Sequence, residues 1–338
     1  MPGWDLLLRQ LRRTRLHPRL AVQLHEAGLV DSLPPEVRPH IEAGCVMAEA
    51  QERSTRWEVD RIGAALRDVD AAVVLLKGAA YVMAALPLAR GRLTSDVDFM
   101  VAKPRLDEVE AALLAHGWEA MKVDAYDQQY YRRWMHELPP LCHARRETVV
   151  DVHHTILPET ARFRPDAGLL LASATPLDGA SNLRLLCPED LFLHAATHLF
   201  CDAIENSLRD LVDLADLLAH FSRDEAFGRR LVERARALDL VRPLFYALRY
   251  TERLLGQPPP AGTEALPAPG PLNLRLMDRY VTAALLPEHP DEPTSAAGRA
   301  RFALFVRSHW LRMPPLLLAR HLATKAGRRL FPPRDPLA

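Results

Sequence analysis

The sequence is poor in lysine and has no closely spaced pair of cysteines. Both shortages limit the classes of protein to which the chain can belong. Its four cysteines, Cys45, Cys142, Cys187 and Cys201, are scattered, and none forms a C-x-x-C pair. This pattern argues against a zinc ribbon or a disulfide framework and favours reduced thiols in a cytosol. Lysine occurs only four times, so arginine carries nearly all of the positive charge.

The chain also lacks a net charge and a long apolar run. Its 43 basic and 43 acidic residues cancel, which gives no general attraction to nucleic acid or membrane. No stretch reaches the ~18 apolar residues of a transmembrane helix, and the N-terminus has no signal-peptide core. We therefore expect a cytoplasmic protein. With 338 residues, 49% of them hydrophobic, it has room for a large core and two domains.

The most informative stretch alternates between strand and helix patterns. Residues 73–76 form a short apolar run typical of a buried strand, and Gly78 follows, where it allows a turn and a close approach to a ligand. Residues 79–86 favour a helix that Pro87 limits. A second strand is predicted over residues 96–101, next to the first.

Two aspartates open this second strand. Asp96 and Asp98 are two residues apart, so their side chains point to the same face. Carboxylates on one face repel each other unless a cation lies between them, and oxygen ligands suit Mg²⁺. The same spacing occurs at Asp68 and Asp70, but no strand–turn–helix pattern leads into that pair. We interpret it as a solvated helix end or turn.

A later hairpin adds a third acidic position. Residues 138–145 and 148–155 are predicted to form its strands, with the turn at Arg146-Glu147. Asp151 and His153 then share one face of the second strand. Such polar groups are costly to bury without partners. They belong either to an exposed face of an edge strand or to a site shared with the first two aspartates.

Three short motifs together resemble a known bacterial family. The motifs are K-G at Lys77-Gly78, R-x-x-x-D-x-D from Arg92 to Asp98, and D-x-H at Asp151-Val152-His153. This layout resembles the family called uncharacterised nucleotidyltransferase, within the superfold related to DNA polymerase β. The resemblance implies an α+β fold, in which a small mixed sheet over about residues 67–157 lies between N-terminal helices and a larger C-terminal helical region.

The resemblance also implies an activity and a cofactor. A nucleoside monophosphate would pass from an NTP to an acceptor, with release of pyrophosphate and with two Mg²⁺ ions bound. Asp96 and Asp98 would hold the metal against the triphosphate. Asp151 would be the third carboxylate, which binds a second metal ion or takes the proton of the acceptor.

Several further residues are expected to bind the nucleotide. They are Lys77, Gly78, Ala79, Arg92 and Ser95. The backbone at Gly78-Ala79 would receive the β- and γ-phosphates, and Lys77 and Arg92 would neutralise the leaving pyrophosphate. The alternative for the two cations is a structural ion pair with the aspartates.

The C-terminal half offers candidate acceptor-binding residues. A helix is predicted to begin at Pro188, and it carries His194 and His198 at a spacing that can chelate a metal. We favour core or rim histidines, because no third ligand is evident. His153, His194, His198 and Asp213 are candidates for contact with the acceptor. Asp213 is otherwise expected to be solvated.

The predicted organisation has three parts. Residues 1–66 form an N-terminal helical segment, 67–160 the catalytic core and 161–338 a helical substrate domain. The last part contains a proline-rich loop at 257–271 and a basic segment at 299–334. This basic segment is expected either to bind a membrane, nucleic acid or a carrier-bound substrate, or to pack on the body as a helix with its arginines outward.

Two other functions remain open on the sequence alone. The chain has Gly78-Ala79 where the wider superfold usually has Gly-Ser, which favours a binding module that has lost catalysis. The basic segment favours a toxin-like enzyme that modifies tRNA or protein. For the transferase, the acceptor is a small molecule, a peptide or a carrier-bound group, and nucleic acid is a weaker candidate.

Overall fold

The computed structural model describes residues 2–121, 135–179, 182–202, 204, 207–292 and 294–320. The strands are β1 Val73–Leu75, β2 Asp96–Met100, β3 Trp118–Ala120, β4 Leu141–His143, β5 Val149–His153, β6 Thr175–Pro176 and β7 Leu183–Leu185. The N-terminal and core helices are α1 Pro2–Arg13, α2 His17–Glu26, α3 Arg38–Ala65, α4 Lys77–Met83, α5 Leu106–Ala115 and α6 Ala167–Ala172. The C-terminal helices are α7 Pro188–Cys201, α8 Leu208–Phe221, α9 Phe227–Ala237, α10 Val241–Leu255, α11 Pro271–Leu285 and α12 Ser295–Arg312.

The strands form one mixed sheet in the order β3-β4-β5-β2-β1-β7-β6. The expected adjacency of β1 and β2 is confirmed, and these two strands are antiparallel. Strand β2 runs parallel to β5, and β1 runs parallel to β7. The predicted α+β class is therefore correct, with helices before and after the sheet.

The two central strands owe their position to their apolar side chains. Every residue of β1 is fully buried, and Val97 and Phe99 of β2 are buried with them. Burial of such side chains contributes roughly 1.5–3 kcal/mol each, which fixes these strands in the middle of the sheet. The polar positions of β2 must therefore all use its other face.

The long helix α3 crosses the sheet and joins its two halves. Near one end of the crossing, Glu58 accepts two hydrogen bonds from Arg146 of the β4–β5 turn, at 2.9 and 3.0 Å. The Arg146 guanidinium also lies over the rings of Trp57 and Trp118. Farther along, Gly63 of α3 lies against the side chain of Leu183 in β7. Helix α3 is the last of the described helices before the sheet begins.

The sheet extends farther along the chain than predicted. The expected boundary was residue 157, yet β6 and β7 lie at residues 175–185 and pair with each other and with β1. These strands have only two and three residues, too short for an alternating pattern to appear in the sequence. The boundaries proposed for the three parts of the chain remain a prediction.

The basic C-terminal segment has arginines on both sides of α12, whereas outward arginines were one of the two expectations. In α12, Arg307 donates to the carbonyl of Phe200 at 2.6 Å, and Arg312 donates to Asp202 at 2.8 Å. The exposed side of α12 instead carries large apolar residues, among them Phe302 and Trp310. The prediction of outward arginines was wrong for Arg307 and Arg312, because acceptors on α7 and just after it bind their guanidinium groups. Arg299 is exposed, as expected. Residues 321–334 of the segment lie outside the described residues.

Within the part of the chain that the structure describes, no helix is long and apolar enough to cross a bilayer.

Candidate active site

The carboxylate cluster is built by two neighbouring parallel strands. Asp98 of β2 lies directly opposite Asp151 of β5 in the strand register, and Asp96 precedes Asp98 on the same face. One oxygen from each of the three side chains lies within 4.8 Å of the others. The residues alone left the place of Asp151 open, and the family resemblance implied that it joins Asp96 and Asp98. The register of β2 and β5 brings the three side chains together.

Asp98 is the most deeply buried of the three carboxylates. Lys77 donates to its Oδ1 at 2.6 Å, and Nε2 of His153 lies 3.1 Å from the same oxygen. Burial alone would raise the pKa of Asp98, but the charge of Lys77 and the hydrogen bonds from His153 and Lys77 outweigh it and hold this pKa well below its usual range. Asp98 is therefore ionised, and Lys77 is its paired cation.

Asp151 has the opposite electrostatic character. Burial, together with the negative charges of Asp98 and Glu137, raises the pKa of Asp151 to about 7. Its Oδ1 atom is buried and has no hydrogen-bond partner among the residues that the structure describes. A buried carboxylate oxygen of this kind needs a proton or a cation. Asp151 thus has the pKa of a general base that works near neutral pH.

The turn between β1 and α4 is made by Lys77, and not by Gly78 as the sequence predicted. Lys77 has a φ of 46°, a left-handed conformation that costs a non-glycine residue energy. Gly78 is required for close packing instead. A Cβ atom there would lie 2.1 Å from Thr94 and 2.4 Å from Arg92, so any side chain would displace the following loop.

The loop between α4 and β2 is held by helix α8. Nε of Arg92 donates to Asp213 at 2.6 Å, and both side chains are nearly fully buried. Arg92 also lies over the ring of Tyr81, and Arg209 of α8 donates to the carbonyl of Leu93 at 3.0 Å. Burial would lower the pKa of Arg92, but the charge of Asp213 reverses this and raises it. Asp213 is consequently neither solvated nor exposed to an acceptor in this structure.

A cavity of about 170 Å³ lies in front of the aspartates, between the sheet, α4, α7 and α8. Its lining residues are Lys77, Gly78, Arg92, Thr94, Ser95, Asp96, Asp98, His198 and Arg209. Seven of these were candidates from the sequence, while Thr94 and Arg209 were not. Thr94 had a weak signal, since it lies within the R-x-x-x-D-x-D motif. Ala79 is buried in α4, and Asp151, His194 and Asp213 are not lining residues.

The two histidines of α7 occupy different environments. His194 is buried, and burial, with smaller effects from Lys77 and His198, holds its pKa well below the usual range. His198 reaches the cavity, and its Nδ1 atom lies 3.1 Å from Asp202. Neither belongs to a metal-ligating cluster within the described ranges. This agrees with the expectation of core and rim histidines.

The carboxylate cluster is chemically suited to a hard divalent cation. Its three donors are all carboxylates, the ligand type that Mg²⁺ prefers. Oδ1 of Asp151 is buried without a hydrogen-bond partner among the described residues. Within the cluster, Lys77 forms an ion pair with Asp98. A divalent cation would relieve the repulsion between Asp98 and Asp151, which lie opposite each other on adjacent strands.

Fold and site together define an α+β protein whose central sheet presents a cation-binding carboxylate cluster to a small cavity beneath helices. The model of the family described as uncharacterised nucleotidyltransferase matches residues 1–256, about three quarters of the chain, and the chain belongs to that family. No curated protein and no solved structure matches it. Family membership supports a role in nucleotidyl transfer and an NTP as substrate.

The raised pKa of Asp151 predicts a stability that depends on pH. The unfolded chain loses this proton near 3.8 and the folded protein near 7, so the free energy of unfolding falls as pH rises between these values. In the presence of a chelator, the Asp151→Asn variant should have a free energy of unfolding about 1–3 kcal/mol higher than the parent at pH 8, after allowance for the partial exposure of Asp151. The gain should disappear at pH 4.

The measurement is denaturant unfolding of the parent and the variant across this pH range. Asp68→Asn, the same chemical change at an exposed position, is the matched control and should show no such pH dependence. An Asp151→Asn variant that is equally stabilised at pH 4 and pH 8 would contradict the assignment.

Proposed function

We propose that the protein is a Mg²⁺-dependent nucleotidyltransferase that moves a nucleoside monophosphate from an NTP to an acceptor and releases pyrophosphate. The observation that carries this proposal is the convergence of Asp96, Asp98 and Asp151 from adjacent parallel strands. Family membership supports the same reaction class. The acceptor would be a small molecule, a peptide or a carrier-bound group.

The three aspartates would hold the metal. Asp96 and Asp98 lie toward the cavity and Asp151 lies behind it, so that the first two would face the triphosphate. When bound, Mg²⁺ supplies charge neutralisation for the triphosphate and lowers the cost of placing an anionic oxygen beside the phosphorus. Asp151 would either hold a second ion or take the proton of the acceptor.

The phosphate end of the nucleotide would occupy the cavity. A volume of about 170 Å³ lies below the roughly 300–1,000 Å³ typical of small-molecule sites, so the base and ribose would lie outside it. Lys77, Arg92 and Arg209 would surround the phosphates with positive charge. Thr94 and Ser95 line the same cavity. The Thr94 hydroxyl accepts a hydrogen bond from Gln51 at 2.8 Å, so the Ser95 hydroxyl would replace the one that Ala79 does not provide.

Asp151 would take the proton of the attacking group. With a pKa of about 7, it exists partly as the base at neutral pH and can pass the proton on to solvent. Its place opposite Asp98 in the strand register would put the attacking group next to the metal-binding carboxylates. His153 and Glu137 lie near it and would help to orient the acceptor.

A nucleotide-binding module without catalysis is the second candidate. Two observations favour it, because Lys77 and Arg92 are already paired with Asp98 and Asp213, and Ala79 lacks a hydroxyl. Both candidates bind Mg-NTP, but only the enzyme releases pyrophosphate. A screen of labelled NTPs against metabolite, peptide and RNA pools would separate the two.

The aspartates should separate binding from turnover. Asp96→Asn should weaken Mg-NTP binding and abolish turnover together, since this residue would hold the triphosphate metal. Asp151→Asn should bind Mg-NTP nearly as well as the parent and lose a factor of about 10²–10⁴ in rate, the usual range for a positioned base. Calorimetry and pyrophosphate release measure the two quantities. Full turnover by Asp151→Asn would reject its role as the base.

The role of Arg92 can be separated from its ion pair. Arg92→Met alone should destabilise the protein by about 3–5 kcal/mol, because it leaves Asp213 buried without its partner. The Arg92→Met/Asp213→Leu double variant should recover most of this stability and still bind Mg-NTP about tenfold to a hundredfold more weakly, since one phosphate contact is lost.

The control is a second arginine–aspartate pair, whose aspartate lies on the same helix as Asp213. Arg19 is paired with Asp216 of α8, outside the cavity that Arg92 lines. Arg19→Met/Asp216→Leu should leave Mg-NTP affinity unchanged. Equal affinity in the two double variants would assign Arg92 to structure alone.

A further inference from the structure

A second group of metal-ligating side chains lies beside the carboxylate cluster. His136, Glu137 and His153 each offer one ligand atom, and these three atoms lie within 4.8 Å of one another. The segment before β4 is fixed to β5 by a β-bridge between Glu137 and His153 and by a 2.8 Å hydrogen bond from Leu138 N–H to the carbonyl of Val152. Main-chain contacts therefore hold the three side chains together.

The hydrogen bonding of His153 leaves one of its ring nitrogens, Nδ1, without a partner among the described residues. Its Nε2 atom lies 3.1 Å from Asp98, which is ionised and can only accept, so Nε2 carries the proton. The other ring nitrogen, Nδ1, lies 3.4 Å from Oε2 of Glu137 but makes no hydrogen bond to it. It is buried and has no hydrogen-bond partner among the described residues, and the same holds for Nδ1 of His136.

We propose that His136, Glu137 and His153 bind a divalent transition-metal ion of the Zn²⁺ type, at a site separate from the three aspartates. Two imidazoles and one carboxylate suit Zn²⁺ or Co²⁺ better than Mg²⁺, which prefers oxygen ligands alone. A cation placed between them would satisfy the facing acceptors. Asp98 would act as the outer carboxylate that orients a metal-bound histidine, a common arrangement in zinc sites.

The geometry of the two rings favours a bound cation. Their centroids lie 5.2 Å apart, and each ring has a buried Nδ1 without a hydrogen-bond partner among the described residues. Asp202 acts on His136 and Glu137 with a further negative charge. Binding would tie the segment before β4 to β5. It would also make His153 a stronger donor to Asp98, which would couple this site to the carboxylate cluster.

The test is Co²⁺ binding to the metal-free full-length protein, with Mg²⁺ in excess to occupy oxygen-only sites. We expect one Co²⁺ per chain, with visible d–d bands and without a thiolate charge-transfer band. His136→Gln and Glu137→Gln should each weaken Co²⁺ binding at least about a hundredfold. Asp98→Asn should weaken it about tenfold to a hundredfold, as outer-shell changes do.

His154→Gln is the matched control. It removes a neighbouring histidine that lines a different cavity, of about 490 Å³, together with Lys103 and Phe163. This variant should bind Co²⁺ like the parent. Circular dichroism should show that each variant is folded, and Zn²⁺ should displace Co²⁺ from the parent.

Three results would overturn the proposal. They are no Co²⁺ binding in the presence of Mg²⁺, unchanged affinity in the folded His136→Gln and Glu137→Gln variants, and a thiolate band that assigns the ion to a cysteine. The site does not depend on nucleotidyl transfer. A parent protein that binds Co²⁺ as expected but shows no Mg-NTP binding would retain this site and count against the proposed reaction.

Discussion

The opposition of Asp98 and Asp151 across β2 and β5 is the constraint on which the rest of the site depends. Parallel pairing sets these carboxylates side by side on one face of the sheet. Like charges so placed are unfavourable, and burial increases the cost. The protein limits this repulsion by giving the two carboxyl groups different pKa values. Lys77 and His153 keep Asp98 ionised, while Asp151 has a pKa of about 7. A divalent cation would neutralise the negative charge that remains on the carboxylate cluster.

The parts around this pair can be understood as means of holding it in place. Lys77 reaches Asp98 from a left-handed backbone conformation at the end of β1, and Gly78 leaves room for Thr94 and Arg92 behind it. The buried ion pair of Arg92 and Asp213 then attaches the loop before β2 to α8. Strain at Lys77 and a buried ion pair are both costly arrangements, and both occur at the wall of the same cavity.

The sequence predicted the elements that carry dense local signals. The apolar run of β1, the D-x-D of β2 and the hairpin of β4 and β5 were all found, because each has several residues of clear periodicity. The sequence could not supply the relations between distant segments. The pairing of Arg92 with Asp213 spans 121 residues, and the cluster of His136, Glu137 and His153 depends on a bridge between a loop and a strand. The strands β6 and β7 were too short to show a pattern.

The orientation of α12 shows the same limit. Its arginines and aromatic residues are interleaved, so the sequence alone favours no face. Partners elsewhere in the fold decide the matter: the carbonyl of Phe200 and the carboxylate of Asp202 bind Arg307 and Arg312. In α12 these two arginines point toward their partners, and Phe302 and Trp310 lie on the exposed side.

The most direct test of the central claim is a crystal structure with Mn²⁺ and a non-hydrolysable NTP analogue, with anomalous scattering used to locate the ion. The account predicts a Mn²⁺ peak bound by oxygens of Asp96 and Asp98, with the triphosphate in the cavity lined by Lys77 and Arg92. A triphosphate bound elsewhere, or bound in that cavity without an ion at the aspartates, would contradict it.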